Sequence, residues 1–363
     1  MGDKRPLKAV VMAGGTGGHV FPALSVAQEL RQRGIDVSWL GTRRGIEAEL
    51  VPAAQIPLNF IEVEGLRGKG IASLLKAPFL LLKALWQARV VLKREQPDVV
   101  LGFGGFASGP GGLAARLRGT PLVIHEQNAV AGTTNRLLSK IASRVLEAFP
   151  SGLKNAQRVG NPVRTAIAEL STPEQRYADR QQQNGPVHVL VLGGSLGALA
   201  INQLLPLALA KLPVASRPQV WHQTGKAHAD STREAYQQQQ VEARVEPFID
   251  DMAAAYAWAD LVICRAGALT VSEVTAAGVA SVLVPFPYAI DDHQTKNGEW
   301  LVNNDAALIR QQHELDSDGM AKLLSDLIND RERLLAMAQK ARSLALPQAA
   351  TQVADICLEV AHG

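Results

Sequence analysis

Twice in this chain a short run of aliphatic residues ends in a cluster of glycines that leads into a helical pattern. Val10-Val11-Met12-Ala13 runs into Gly14-Gly15-Thr16-Gly17-Gly18, and Val189-Leu190-Val191-Leu192 runs into Gly193-Gly194-Ser195-Leu196-Gly197. A strand that turns sharply on glycines into a helix opens a βαβ unit, so two copies half a chain apart predict two α/β domains. A length of 363 residues suits that number at roughly 100–200 residues each.

The remaining apolar runs support the same reading. Lys8–Ala13, Asp36–Leu40, Asp98–Gly102, Pro121–His125 and Arg144–Ala148 are strand candidates in the first half. Val187–Leu192, Gln219–Gln223, Leu261–Cys264 and Val279–Val284 are those of the second. They are nearly continuously apolar, as strands covered by helices on both faces should be. Gly160-Asn161-Pro162 and the polar stretch 172–186, with Gln181-Gln182-Gln183, are expected to be hinge and linker. Ligands of doubly wound sheets bind beyond the carboxyl ends of the strands, which predicts a site in a cleft between the two domains.

Charge divides the halves. Residues 1–163 carry 21 Lys and Arg against 11 Asp and Glu, and residues 164–363 carry 16 against 23, although the whole chain nets only +3. The basic surplus is concentrated in residues 67–94, where Arg67, Lys69, Lys76, Lys83, Arg89, Lys93 and Arg94 occur with no acid. Phe79, Leu80, Leu81, Leu82 and Trp86 are interleaved with them. A basic helical stretch with Leu, Phe and Trp predicts contact with an anionic membrane surface, and no nucleic-acid motif accompanies it. There is no leader before Val10 and no 18-residue apolar run, so a cytosolic chain that does not span a membrane is expected. Two cysteines, Cys264 and Cys357, make no disulfide framework or C-x-x-C.

The first glycine loop is not a dinucleotide fingerprint. Counted from Gly15 and Gly17, the last glycine would fall at Val20, and Leu40-Gly41-Thr42 stands where a ribose-binding acid would end the second strand. Its backbone N–H groups and the following helix end still suit an anion, as do those of Gly102-Phe103-Gly104-Gly105-Phe106-Ala107-Ser108-Gly109. His19 in the first turn after the loop is a candidate general base, and His125-Glu126-Gln127-Asn128 ends another strand. In the second half, the segment Ala268–Glu273 after Cys264 offers free helix N–H groups to a diphosphate. Glu273 either accepts hydrogen bonds from vicinal ribose hydroxyls or closes a capping box with Thr270. His188 is expected to be a core residue, and the other histidines lack ligand spacing. Asp316-Ser317-Asp318 reads as a helix cap, not a metal motif, so metal-independent chemistry is expected.

These motifs, in this order, resemble the MurG family of peptidoglycan glycosyltransferases: Gly14-Gly15-Thr16-Gly17-Gly18-His19, the Gly104–Gly112 loop, His125-Glu126-Gln127-Asn128, Gly160-Asn161-Pro162-Val163-Arg164, Gly193-Gly194-Ser195 and Ala268–Glu273. The resemblance implies a GT-B fold of two Rossmann-like α/β domains. Residues 1–162 would bind the lipid acceptor, residues 163–345 UDP-GlcNAc, and residues 346–363 would form a helix returning to the first domain. It implies inverting transfer of N-acetylglucosamine to the 4-hydroxyl of the muramoyl sugar of undecaprenyl-diphospho-muramoyl-pentapeptide (lipid I), without cofactor or metal. Donor contacts fall on Thr16, Gly17, Gly18, Asn128, Arg164, Ser195, Ile249, Ala268, Leu269, Thr270, Val271, Ser272, Glu273 and Gln294. His19, or alternatively Glu126, would be the base, and Gly14, Gly15, Gly104, Gly105 and Ser108 would meet the acceptor. The family further implies a peripheral position on the cytoplasmic face of the bacterial inner membrane, with other wall-synthesis proteins as partners. Phe106 departs from the tyrosine common at that point, and His293-Gln294 from a glutamine pair, leaving Gln294 as the matched residue.

Overall fold

The apolar runs become strands of two all-parallel sheets. The computed structural model describes residues 5–63, 71–182, 185–194 and 197–362, with only the backbone given for residues 71–76, 181–182 and 290. Arg67, Lys69, Gln183 and Ser195 therefore lie outside the described residues. The chain divides into two compact units, Met1–Arg164 with Leu346–Gly363, and Thr165–Ala345.

In the first unit the strands are β1 (Lys8–Met12), β2 (Asp36–Gly41), β3 (Leu58–Phe60), β4 (Val99–Gly102), β5 (Leu122–Glu126), β6 (Arg144–Glu147) and β7 (Ala156–Arg158). Between them run helices α1 (Gly17–Gln32), α2 (Glu47–Ala53), α3 (Ile71–Glu95), α4 (Ser108–Arg118) and α5 (Thr133–Leu138). The sheet order is β3-β2-β1-β4-β5-β6-β7, which reverses direction between β1 and β4. Alternate residues of β1 enter opposite cores, Ala9 and Val11 one, Val10 and Met12 the other. This is the two-sided burial that a continuous apolar run requires.

The second unit opens with α6 (Thr165–Ala168) and α7 (Pro173–Gln182), then β8 (His188–Leu192), α8 (Leu199–Ala210), β9 (Gln219–Gln223), α9 (Ala229–Gln238) and β10 (Arg244–Glu246). It continues with α10 (Met252–Trp258), β11 (Leu261–Cys264), α11 (Ala268–Ala277), β12 (Ala280–Leu283), α12 (His293–Val302), β13 (Ala307–Ile309), α13 (Ser317–Ile328) and α14 (Arg331–Ser343). Its order, β10-β9-β8-β11-β12-β13, repeats that of the first sheet without a counterpart of β7. Register pairs Val191 with Ile263 across the switch point, as Val10 pairs with Val100 in the first. The last helix, α15 (Ala349–His362), belongs to the first unit: Val353, Ala354, Ile356 and Cys357 share a core with Val20, Ala23 and Leu30 of α1.

One expectation changes. The stretch 172–186 is not a simple linker, since α7 occupies most of it. Buried Tyr177 there donates to the Asp260 carbonyl at 2.6 Å, and Arg176 caps the carbonyls of Ala277 (2.8 Å) and Gly278 (2.6 Å) at the end of α11. Its polar composition hides a helix held by carbonyl capping instead of by an apolar stripe. On α3 it is Ala77, Ala84, Ala88, Val91 and Leu92 that face inward, while Phe79 is 76% and Trp86 66% exposed.

Candidate active site

The carboxyl ends of β1, β4 and β5 gather the first unit's candidate residues. Thr16 caps α1 in extended conformation, and its carbonyl accepts from the N–H groups of His19 at 3.1 Å and Val20 at 3.2 Å. That turn places His19 half-buried with Nδ1 3.4 Å from Thr16 Oγ1. The other ring edge, Cδ2 and Nε2, lies against Gly104: a Cβ on Gly104 would come within 3.3 Å of both atoms. Gly104 has φ +91° and Gly105 φ +80°, and a Cβ on Gly105 would stand 2.5 Å from the Gly14 carbonyl oxygen. The two glycine loops thus pack backbone to backbone, which is possible only without side chains. Arg164 lies over the Phe21 ring of the same helix, 5.3 Å from its centroid.

Several expected ligand contacts prove to be internal. Ser108 is fully buried, and its hydroxyl lies 2.6 Å from the Gly104 carbonyl and 3.1 Å from that of Met12. It ties the two loops together and does not face an acceptor. Gly15 gives its N–H to Glu47 Oε2 at 3.0 Å, so that donor is not offered to a phosphate. Glu126, expected as an alternative base, is 2% exposed. Its Oε1 accepts from the Asn128 N–H (2.9 Å) and amide (3.3 Å), and its Oε2 from the Gly132 N–H (3.1 Å) and Asn135 Nδ2 (2.9 Å). With four donors around it, this carboxylate clamps the loop and presents no oxygen to a sugar hydroxyl. His125 is buried too: Nε2 meets the Gly160 carbonyl at 2.8 Å, Nδ1 meets Gln127 Nε2 at 3.1 Å, and burial lowers its pKa to about 4. Phe106 is exposed.

In the second unit α11 starts at Ala268 behind Gly267, with no side-chain cap and no acid in its first turn. The capping box is thereby excluded, because the cap is Gly267 and not Thr270. Buried Glu273 instead receives the Tyr256 hydroxyl on Oε2 at 3.2 Å. Orphan N–H groups at Ala268, Leu269 and Thr270 leave the helix end electropositive, about half a charge. Ser272 bonds back to the Ala268 carbonyl at 2.8 Å, and Val271 is buried. Arg265 pins β11 to the next loop through the Val284 and Pro285 carbonyls, each at 3.1 Å. Gln294 Oε1 accepts from the Phe286 N–H at 2.9 Å, which fixes the loop before α12. Ile249 is buried in the turn ahead of α10, whose cap is Asp251.

Tyr256, Glu47 and Asn135 were not singled out by sequence. Tyr256 sits in an Ala-rich run that reads as ordinary core. Glu47 had a faint signal, the preceding Gly41 and Gly45. His188 stacks on Trp258 at 4.5 Å, and Asp316 caps α13 by accepting from the Gly319 N–H at 2.7 Å.

Sequence comparison bears on the whole chain. The glycosyltransferase family 28 N-terminal domain matches residues 9–147 and the family 28 C-terminal domain residues 188–353. The UDP-N-acetylglucosamine–N-acetylmuramyl-(pentapeptide) pyrophosphoryl-undecaprenol N-acetylglucosamine transferase of Cellvibrio japonicus is 62% identical, with 99% of this chain and 100% of that protein covered. The protein of the same name from Stutzerimonas stutzeri is 57% identical over 98% and 99%. Among solved structures, Acinetobacter baumannii MurG superposes with a TM-score of 0.83 at 46% identity, covering 98% and 100%. With both family models matched in order and relatives aligned over nearly the whole chain, the chain belongs to the MurG family of glycosyltransferases.

Proposed function

We propose that this chain transfers N-acetylglucosamine from UDP-GlcNAc to the muramoyl 4-hydroxyl of lipid I, giving lipid II. The observation that carries the reading is similarity over the full length of relatives named for that reaction. His19 takes the proton from the 4-hydroxyl as its oxygen attacks the anomeric carbon from the face opposite UDP, so the configuration inverts. The bond from that carbon to the diphosphate oxygen breaks, and UDP departs with the electron pair. The orphan N–H groups of α11 stabilise its charge, a role a fixed dipole fills without reorganising. Glu273, oriented by Tyr256, holds the ribose hydroxyls, and Thr16 orients the imidazole. Glu126 acts as the loop clamp that positions Asn128.

The acceptor's lipid explains the outer face of α3. Phe79, Leu80, Leu81, Leu82 and Trp86 are exposed there, and Trp86, Arg89, Val90, Lys93 and Arg118 line a groove of about 690 Å³. Among the described residues no helix is long and apolar enough to cross a membrane. The reading is a peripheral enzyme that rests this face on the cytoplasmic leaflet. One cation is partly offset, because Glu62 pairs with Lys83 at 2.7 Å. The decisive experiment follows labelled N-acetylglucosamine from its UDP donor to a lipid I analogue, with and without EDTA. Labelled disaccharide-lipid is expected in both arms; UDP release without that product would overturn the reading.

A further inference from the structure

We infer that Glu47 is a positioning residue of the acceptor-side site, the buried strut that sets where Thr16 and His19 stand. The inference rests on the reading of His19 as base. Glu47, the first residue of α2, is fully buried. Its Oε1 accepts from the Thr42 N–H at 3.0 Å and the Thr42 hydroxyl at 2.8 Å, and its Oε2 from the Gly15 N–H at 3.0 Å. One carboxylate therefore joins the loop after β2 to the loop before α1, through charge-assisted hydrogen bonds, which are the strong ones.

Three glycines on those two loops exist around it. A Cβ on Gly14 would lie 2.5 Å from Oε1, one on Gly41 2.8 Å from Cγ, and one on Gly45 would overlap the carboxylate outright. The glycines of the first loop thus serve the strut as well as any ligand. From Gly15 the path to the base is short. The next residue is Thr16, whose carbonyl holds the His19 N–H at 3.1 Å and whose hydroxyl lies 3.4 Å from the imidazole. A carboxylate behind the loop also disfavours a phosphate in front of it. It suits an uncharged sugar hydroxyl, and the imidazolium that His19 becomes on taking the proton.

The test uses the full chain with the lipid I analogue. Glu47→Gln keeps the shape but turns an NH₂ toward donors, and Glu47→Asp keeps the charge but draws it back from Gly15. Each is expected to lower kcat by about 10²-fold, the cost of a misplaced catalytic group. KM for UDP-GlcNAc stays unchanged, and the Gly15 amide proton moves upfield in NMR spectra. Thr42→Val removes a hydrogen bond to the same carboxylate yet leaves the Gly15 link, and is expected to retain kcat. Wild-type kcat in a folded Glu47 variant, or an equal loss in Thr42→Val, overturns the inference. Absence of transfer by the unmutated chain overturns the function instead, and in that case the Gly15 amide shift still reports the strut.

Discussion

The two domains share a strand order yet differ in the groups that hold most of their site loops, with Ser108 in the first and Gln294 in the second running the other way. In the first, buried carboxylates collect backbone N–H groups: Glu47 takes Gly15 and Thr42, Glu126 takes Asn128 and Gly132, and Glu147 takes Ser151. In the second, side-chain donors collect carbonyls: Arg265 takes Val284 and Pro285, Asn297 takes Ala266, and Asn202 takes Thr224. Satisfying loop carbonyls leaves N–H groups for a ligand, whereas satisfying N–H groups uses them up. The net-acidic half is therefore the one whose loop ends are ready for an anion. The net-basic half carries cations on the outer face of α3 and a buried acid, Glu47, behind its first glycine loop. Domain charge predicts the partner of a surface, and the local hydrogen-bond accounting predicts the partner of a site.

The largest effect that could break this contrast is at His19. His19→Ala is expected to reduce turnover by about 10²–10⁴-fold, with UDP affinity unchanged if the diphosphate sits at α11 as proposed; full activity at neutral pH would remove the base. Glu273→Gln should weaken donor use by about 1.5–3 kcal/mol, the scale of a charged hydrogen bond, read as kcat/KM for UDP-GlcNAc. Unchanged donor kinetics would end the ribose assignment and with it the division of labour between domains. On the outer face of α3, replacing Arg89 and Lys93 by Ala should cost about 1 kcal/mol each in binding to anionic vesicles. Flotation that is equally strong for neutral vesicles would place the membrane contact on the apolar residues alone.

The smallest effect treats the domains alike. Burial lowers the pKa of His125 to about 4 in the first and of His222 to about 3 in the second. Each is neutral when folded, while its unfolded form protonates near 6.5. The stability they supply is complete above pH 6.5 and is lost as pH falls toward those folded values. Between pH 7 and 5.5 the loss should be about 1 kcal/mol per histidine, measured by denaturant unfolding. A His222→Asn variant that shows the same acid-side slope as the unmutated chain would refute the assignment.

Nine strands were legible because each is a continuous apolar run covered on both faces. The four that were not, β3, β7, β10 and β13, are three-residue strands at the sheet edges, where one neighbour is missing and burial is partial. The candidate site was legible in the same uneven way. Glycine loops and the start of α11 announce themselves by residue type and spacing. That Ser108 and Glu126 turn inward does not, since a hydroxyl or carboxylate looks the same in sequence whether a ligand or a loop amide occupies it.

The sequence by itself determined two doubly wound domains, their glycine turns, the helix end suited to a diphosphate and the basic apolar stretch, because these follow from periodicity and local composition. Tertiary structure alone decided that α15 packs through Val353, Ala354, Ile356 and Cys357, that Tyr256 reaches Glu273, and that Glu47 stands behind His19's loop. Those contacts join residues 17 to more than 300 positions apart, and hydrogen-bond partners at such separations are set by how sheets and helices stack, which no local pattern encodes.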